Sequence, residues 1–285
     1  MNGKLNYIKR IIIKKMPYPL HLNLMGALVW LFGSVRLKVL YDCYRRPEYA
    51  YGVWEAASRA KALGMKGVTV IEFGVATGRG LMAMVIYAQK VSKELGIAIN
   101  ILGFDSGEGM PDFDDYRDHP ELYTKGDFPM IFRDKLYSFL PSNAKLVLMD
   151  LIADDWTKTP LEYPIGFISI DVDYYSSTIA ILNRMANLDS SNLMPNTVMY
   201  FDDVILDNHN LFQGEQLAIT DFNNANPMRK IDAFAKVLRH KRMFKHAHWL
   251  ENIYQLHVLD HYYRQNAYRT GDAPVTVITN KYFKQ

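Results

Sequence analysis

The chain has 285 residues, 49% of them apolar and 22% charged, with a net charge of +3. This is globular composition with enough apolar residues for one large core, and it excludes bulk disorder. The near balance of charge, with no basic stripe through the body of the chain, argues against nucleic acid as a partner.

The N-terminus carries Lys4, Lys9, Arg10, Lys14 and Lys15 ahead of an apolar stretch over residues 20–35. His21 and Asn23 interrupt that stretch, Pro17 and Pro19 precede it, and no small-residue cleavage site follows, all of which argue against a signal peptide. It also falls short of the ~20 clean apolar residues of a spanning helix. The favoured reading is a helix packed on the domain or on a second subunit of a homodimer. The other is a basic anchor lying on a membrane surface. Cys43 is the one cysteine, so an internal disulfide and a cysteine zinc site are excluded, and a cytoplasmic protein is expected. Residues 1–67 are expected to form a mostly helical N-terminal extension, and residues 68–285 the catalytic domain.

From residue 68 onward, strand and helix patterns alternate. Residues 68–71 are a β-rich apolar run leading into Glu72 and Gly74. Leu81, Met84, Val85, Ala88, Val91 and Leu95 then recur at helical spacing until Gly96. Further strands are expected over 99–104, 145–149, 165–170 and 197–201. Ser176, Ser177 and Thr178 are expected to cap the helix after the fourth strand. A helix is expected from about Glu215, with Phe222, Phe234 and Leu238 among its apolar positions. Two last strands, 253–259 and 275–279, have only a polar loop between them and are expected to pair antiparallel at one edge. Together these predict an α/β fold, Rossmann-like and doubly wound, with a mostly parallel seven-stranded sheet and an antiparallel edge strand.

Ligands of open parallel sheets bind beyond the carboxyl ends of the strands. Four such ends carry acids here: Glu72, Asp105, Asp171 and Asp202. Glycines at 74, 78 and 80 form a strand–turn–helix connection that lets a ligand approach the backbone. Their spacing does not fit the G-x-G-x-x-G of nicotinamide dehydrogenases. Asp105 on the second strand suits a ribose diol, since a carboxylate accepts from both hydroxyls. Asp171, Asp202 and Asp203 end neighbouring central strands and would repel one another. A hard divalent cation such as Mg2+ resolves that repulsion; the alternative is that one or two of these acids cap the helices that follow. Asp173 is expected to support the site without being a ligand.

With these motifs in view, the sequence resembles class I S-adenosylmethionine-dependent methyltransferases. Residues 103–111 (GFDSGEGMP), residues 170–178 (IDVDYYSST), and Phe201, Asp202 and Asp203 followed by Gly214 and Glu215 resemble the macrocin O-methyltransferase family. The similarity runs over roughly residues 45–222 in motif order. It implies methyl transfer from S-adenosylmethionine to a sugar hydroxyl of a natural product or glycan, with magnesium. It also implies that Glu72, Gly74, Gly78, Asp105 and Ser106 line the cofactor pocket and that Asp171, Asp202 and Asp203 are metal ligands. Residues 106–129 form a long polar loop expected to act as a lid, in which His119 or Asp127 is a candidate general base; Asp171 is expected to be catalytic through the metal. Tyr174 and Tyr175 are expected in the core rather than on a substrate. Rival readings are a methyltransferase for catechol or nitrogen acceptors, and an inactive methyltransferase fold serving as a scaffold. The intact acid cluster argues against the scaffold.

Overall fold

The computed structural model describes residues 20–205 and 210–265. Among them, seven strands form one sheet: β1 (Gly67–Phe73), β2 (Ala98–Asp105), β3 (Ala144–Leu148), β4 (Ile165–Ile170), β5 (Leu193–Phe201), β6 (Arg229–Ala233) and β7 (Ile253–Val258). Their order is β3-β2-β1-β4-β5-β7-β6. The first five run parallel, and β7 runs antiparallel to both β5 and β6. This is the strand order of the class I methyltransferase fold, as the sequence motifs imply.

The pleat explains how β1 serves two cores. Val68 and Val70 point to one face, Ile71 and Phe73 to the other, and every residue of β1 is buried. On the first face lie α3 (Pro47–Ala62) and α4 (Arg79–Leu95), which bury Tyr49, Val53, Ala56, Leu81 and Met84. Each large side chain buried there contributes roughly 1.5–3 kcal/mol. On the second face, α6 (Tyr175–Ala186) and α7 (Gly214–Ala225) bury Ile181, Leu182, Ala218 and Phe222. Glu72 shares the pleat of Val68 and Val70, so it faces α3. Two short helices precede that element, α1 (Leu20–Phe32) and α2 (Val35–Leu40), and α5 (Arg133–Phe139) leads into β3.

Two expectations are corrected. The helix expected to run from Glu215 past Phe234 ends at Ala225; β6 follows, then α8 (Ala235–Lys241). Pro227, which lacks an amide proton, stands in the break. β7 pairs antiparallel with both β5 and β6, while the strand expected over residues 275–279 lies outside the described residues. β6 escapes notice because Arg229, Lys230 and Asp232 leave Ile231 as its one large apolar residue. The expected serine and threonine cap of α6 is also replaced. Tyr174 occupies the cap position, and the carboxylate of Asp118, 58 residues earlier, accepts the amide of Ser176 at 2.8 Å.

Candidate functional site

The parallel strands end level with one another, and the chain continues the hydrogen-bonding for one more step. Asp171 donates its amide to the carbonyl of Phe73 at 3.0 Å, and Asp202 donates to Ile170 at 3.1 Å. Gly74 likewise donates to Phe104 at 2.9 Å. Register thus brings residues from four strands to one rim. At Gly74, φ is +81°, and a Cβ there would sit 1.8 Å from the carbonyl oxygen of Asp171. The turn after β1 can pass so close to β4 only because this residue is glycine.

Asp105 closes the turn. Its Oδ2 accepts the amides of Val75 at 2.7 Å and Ala76 at 2.8 Å, and its Oδ1 accepts that of Gly107 at 2.6 Å. One carboxylate therefore ties the loop after β1 to the loop after β2, while still facing the cavity. Gly78 stands just before α4, beside Leu136, and is not part of the cavity wall; Ser106 is.

Glu72 is 1% exposed. Tyr49 of α3 donates its hydroxyl to Glu72 Oε1 at 2.6 Å, and Ser169 of β4 donates to the Tyr49 hydroxyl at 2.9 Å. Gly80 makes room for this chain, since a Cβ there would lie 1.7 Å from Oε1. Burial pushes the Glu72 carboxyl up to about 8, against the opposing hydrogen bond from Tyr49. Its other oxygen, Oε2, has no hydrogen-bond partner among the described residues. An unpartnered, buried acceptor in a cavity wall suits a cationic or hydroxyl-bearing ligand.

Asp171, Asp202 and Asp203 each bring one carboxylate oxygen to within 4.8 Å of the others. Burial raises the Asp171 carboxyl well above the ordinary range, and the charges of Asp202 and Glu72 raise it further. Burial does the same at Asp203, reinforced by Glu215 and Asp173. Glu215, fully buried at the start of α7, accepts the Asp203 amide through Oε2 at 3.0 Å. Among the described residues, neither Asp203 Oδ2 nor Glu215 Oε1 has a hydrogen-bond partner. Tyr200 donates to Asp202 Oδ1, and the amide of Asn252 holds the Asp202 carbonyl at 2.7 Å. Converging carboxylates with unsatisfied buried oxygens fit a hard divalent cation, which would favour the charged form of each. Asp173 has φ of +60° and also faces the cavity near Tyr123 and Asp203, and burial raises its carboxyl above the ordinary range.

A cavity of about 1010 Å³ joins the two halves, with Glu72, Gly74 and Asp105 on one side and the aspartate cluster on the other. Its volume is at the top of the ~300–1,000 Å³ typical of small-molecule sites. The expected lid lies over it in two parts. Residues 114–119 are pinned: Asp118 takes the amides of Asp114 and Ser176, and Gln213 donates to the Tyr116 carbonyl at 2.6 Å. His119 is fully buried there, 3.0 Å from Glu121 through Nδ1 and packed against Gly214, and is not part of the cavity wall. Tyr123 and residues 125–128 do form wall; Met110 exchanges backbone hydrogen bonds with Gly126 and Asp127, and the Tyr123 ring packs edge-on against Tyr174. Asp127 of this part faces the cavity. Tyr174 and Tyr175 are buried, as expected of core residues.

Sequence reasoning missed Tyr49, Arg46 and Asp150, and singled out Glu215 as part of a motif without giving it a place at the site. Arg46 stands over the Tyr49 ring at 5.0 Å and lines the cavity, as does Asp150 after β3. Asp150 was legible as a fifth acid beyond a strand end. Tyr49 and Arg46 precede β1, where no strand-end rule applies.

No protein-family model and no curated protein matches this chain. Among solved structures it is similar to the calicheamicin methyltransferase CalS11, at 19% identity over 78% of this chain and 84% of that one, with a TM-score of 0.45. It is similar to the O-methyltransferase NovP at 15% identity, over 55% and 65% of the two chains, with a TM-score of 0.42. A third is a putative O-methyltransferase from Klebsiella pneumoniae, at 12% identity over 66% and 73%, with a TM-score of 0.38. The fold assignment rests on the strand order rather than on these likenesses.

Proposed function

We propose that this protein is an S-adenosylmethionine-dependent O-methyltransferase assisted by a divalent cation, acting on a hydroxyl of a sugar or glycan. The observation that carries the reading is one cavity, in a sheet of this strand order, walled by the Glu72–Gly74–Asp105 turn on one side and by three converging aspartates on the other. The sugar acceptor follows from the motif resemblance alone.

Glu72, Gly74, Asp105 and Ser106 would hold the cofactor, and Asp171, Asp202 and Asp203 the cation. When bound, the cofactor supplies an electrophilic methyl group and the cation favours ionisation of an acceptor hydroxyl. The chain's own contribution is positioning and exclusion of water. Asp105 sets the shape of the turn, Tyr49 orients Glu72, and Tyr200 and Asn252 orient Asp202. The wall formed by Tyr123 and residues 125–128 shields the reacting atoms. With His119 outside that wall, Asp127 is the remaining candidate to receive the acceptor's proton.

The test is calorimetric titration of S-adenosylmethionine and of magnesium into wild type and Asp203→Asn. Wild type is expected to bind both. The variant is expected to keep cofactor binding and to lose magnesium binding by on the order of 100-fold, with a comparable loss of methyl transfer. Unchanged magnesium binding in the variant overturns the metal site; absence of cofactor binding in wild type overturns the methyltransferase reading.

A further inference from the structure

Helix α1 has two unlike sides. Asn23 and Val29 are buried, and the carbonyl of Gly26 lies 3.6 Å from the thiol of Cys43. On the outer side, Leu24, Leu28, Leu31 and Phe32 are 60%, 52%, 53% and 83% exposed. Their spacing of four, three and one residues places them along one face of the helix. The helix contains no charged residue. A bare apolar stripe of this kind marks a surface that something covers.

The charge around it says what. Residues 1–41 contain seven lysines and arginines and no aspartate or glutamate. Taking those seven from the 33 basic residues of the chain leaves 26 against 30 acidic residues over residues 42–285, a net charge of −4. The positive charge is therefore gathered on both sides of the apolar helix, with Lys4 to Lys15 before it and Arg36 and Lys38 after it. We infer that α1, with its flanking basic residues, docks the protein on an anionic lipid surface.

The helix lies in the interface and does not span it. Its 13 residues extend about 20 Å at ~1.5 Å per residue, short of the ~30 Å hydrocarbon core. No described helix is long and apolar enough to cross a membrane. A second copy of the chain is a poorer occupant: a two-fold contact would set one strongly positive segment against another. Anionic headgroups supply the opposite charge, and acyl chains accept the leucines. The next helix, α2, ties the segment after α1 to the body. Glu94 of α4 accepts the amide of Val35 at 2.7 Å, and Ser34 caps the same helix start. Arg46, fourteen residues beyond Phe32, is already in the cavity wall. The docking does not depend on the methyl-transfer reading.

The experiment is co-sedimentation of the full chain with phosphatidylcholine vesicles, with and without about one-third phosphatidylglycerol, where binding is expected to be at least tenfold stronger on the anionic vesicles and to fall as salt is raised. The variant Leu28→Glu/Phe32→Glu alters exposed positions only, so it is expected to keep the wild-type melting profile while losing vesicle binding about tenfold or more. Wild type left in the supernatant with anionic vesicles overturns the inference, as does a folded variant that binds as well as wild type. If wild type ignores vesicles and forms a dimer that the variant abolishes, a second copy covers the face instead.

Discussion

At the scale of single residues, burial works against the charge of three acids in the cavity wall, Glu72, Asp171 and Asp203. Glu48 shows this outside the aspartate cluster. It is 8% exposed in the first turn of α3, and burial pushes its carboxyl up to about 7; Arg46 opposes the shift and Asp202 adds to it. A carboxyl whose folded value lies above its unfolded one contributes stability at low pH. That contribution is whole below about 4.5 and lost as pH rises through about 7. Its size is on the order of 3 kcal/mol. Urea unfolding across that window is expected to show stability declining with pH, and Glu48→Gln to flatten the decline; an unchanged slope would assign it to another group. Such shifts were not legible in the sequence. Asp171, Asp202 and Asp203 could be singled out because each stands at a strand end, but the burial that perturbs Glu48 comes from residues packed around it in space.

At the scale of elements, local pattern served well where one segment settles its own fate. β4 runs over the expected residues, and Gly96 ends α4 in the left-handed conformation, with φ of +69°. It failed where a distant residue decides. The cap of α6 comes from Asp118, which lies in the lid, although Ser176 and Ser177 stand closer in sequence. Asp118→Ala is expected to cost about 1 kcal/mol, within the ~0.5–2 kcal/mol of a lost helix cap. Thermal unfolding checks this, and a variant with wild-type stability would mean that water replaces the cap fully. β6 failed for the related reason that a polar edge strand draws its order from its neighbour β7 and leaves little apolar signal of its own.

At the scale of the whole molecule, the parallel sheet and most of its rim of acids were legible, because four of the five parallel strands are apolar runs with an acid at their end. The relation of the N-terminal residues to the sheet was not. Tyr49, Val53, Ala56, Ala57 and Ala60 of α3 are fully buried against it, and α3 precedes the boundary expected at residue 68. Circular dichroism of two truncated chains tests that boundary. Residues 34–285 are expected to melt cooperatively, and residues 68–285, stripped of α3, to show no cooperative melt; a folded 68–285 would place α3 outside the domain. The two-part lid bears on the same molecule in motion. Its first part is fastened to α6 through Asp118 and to Gln213 beside α7, so swinging it outward would unfasten a helix start. Its second part is held by backbone hydrogen bonds to Met110 and by the Tyr123 ring packed edge-on against Tyr174. Under the proposed function, opening the second part would break the two backbone hydrogen bonds at Met110 and the Tyr123–Tyr174 ring contact but no helix cap, which makes it the doorway for reactant and product.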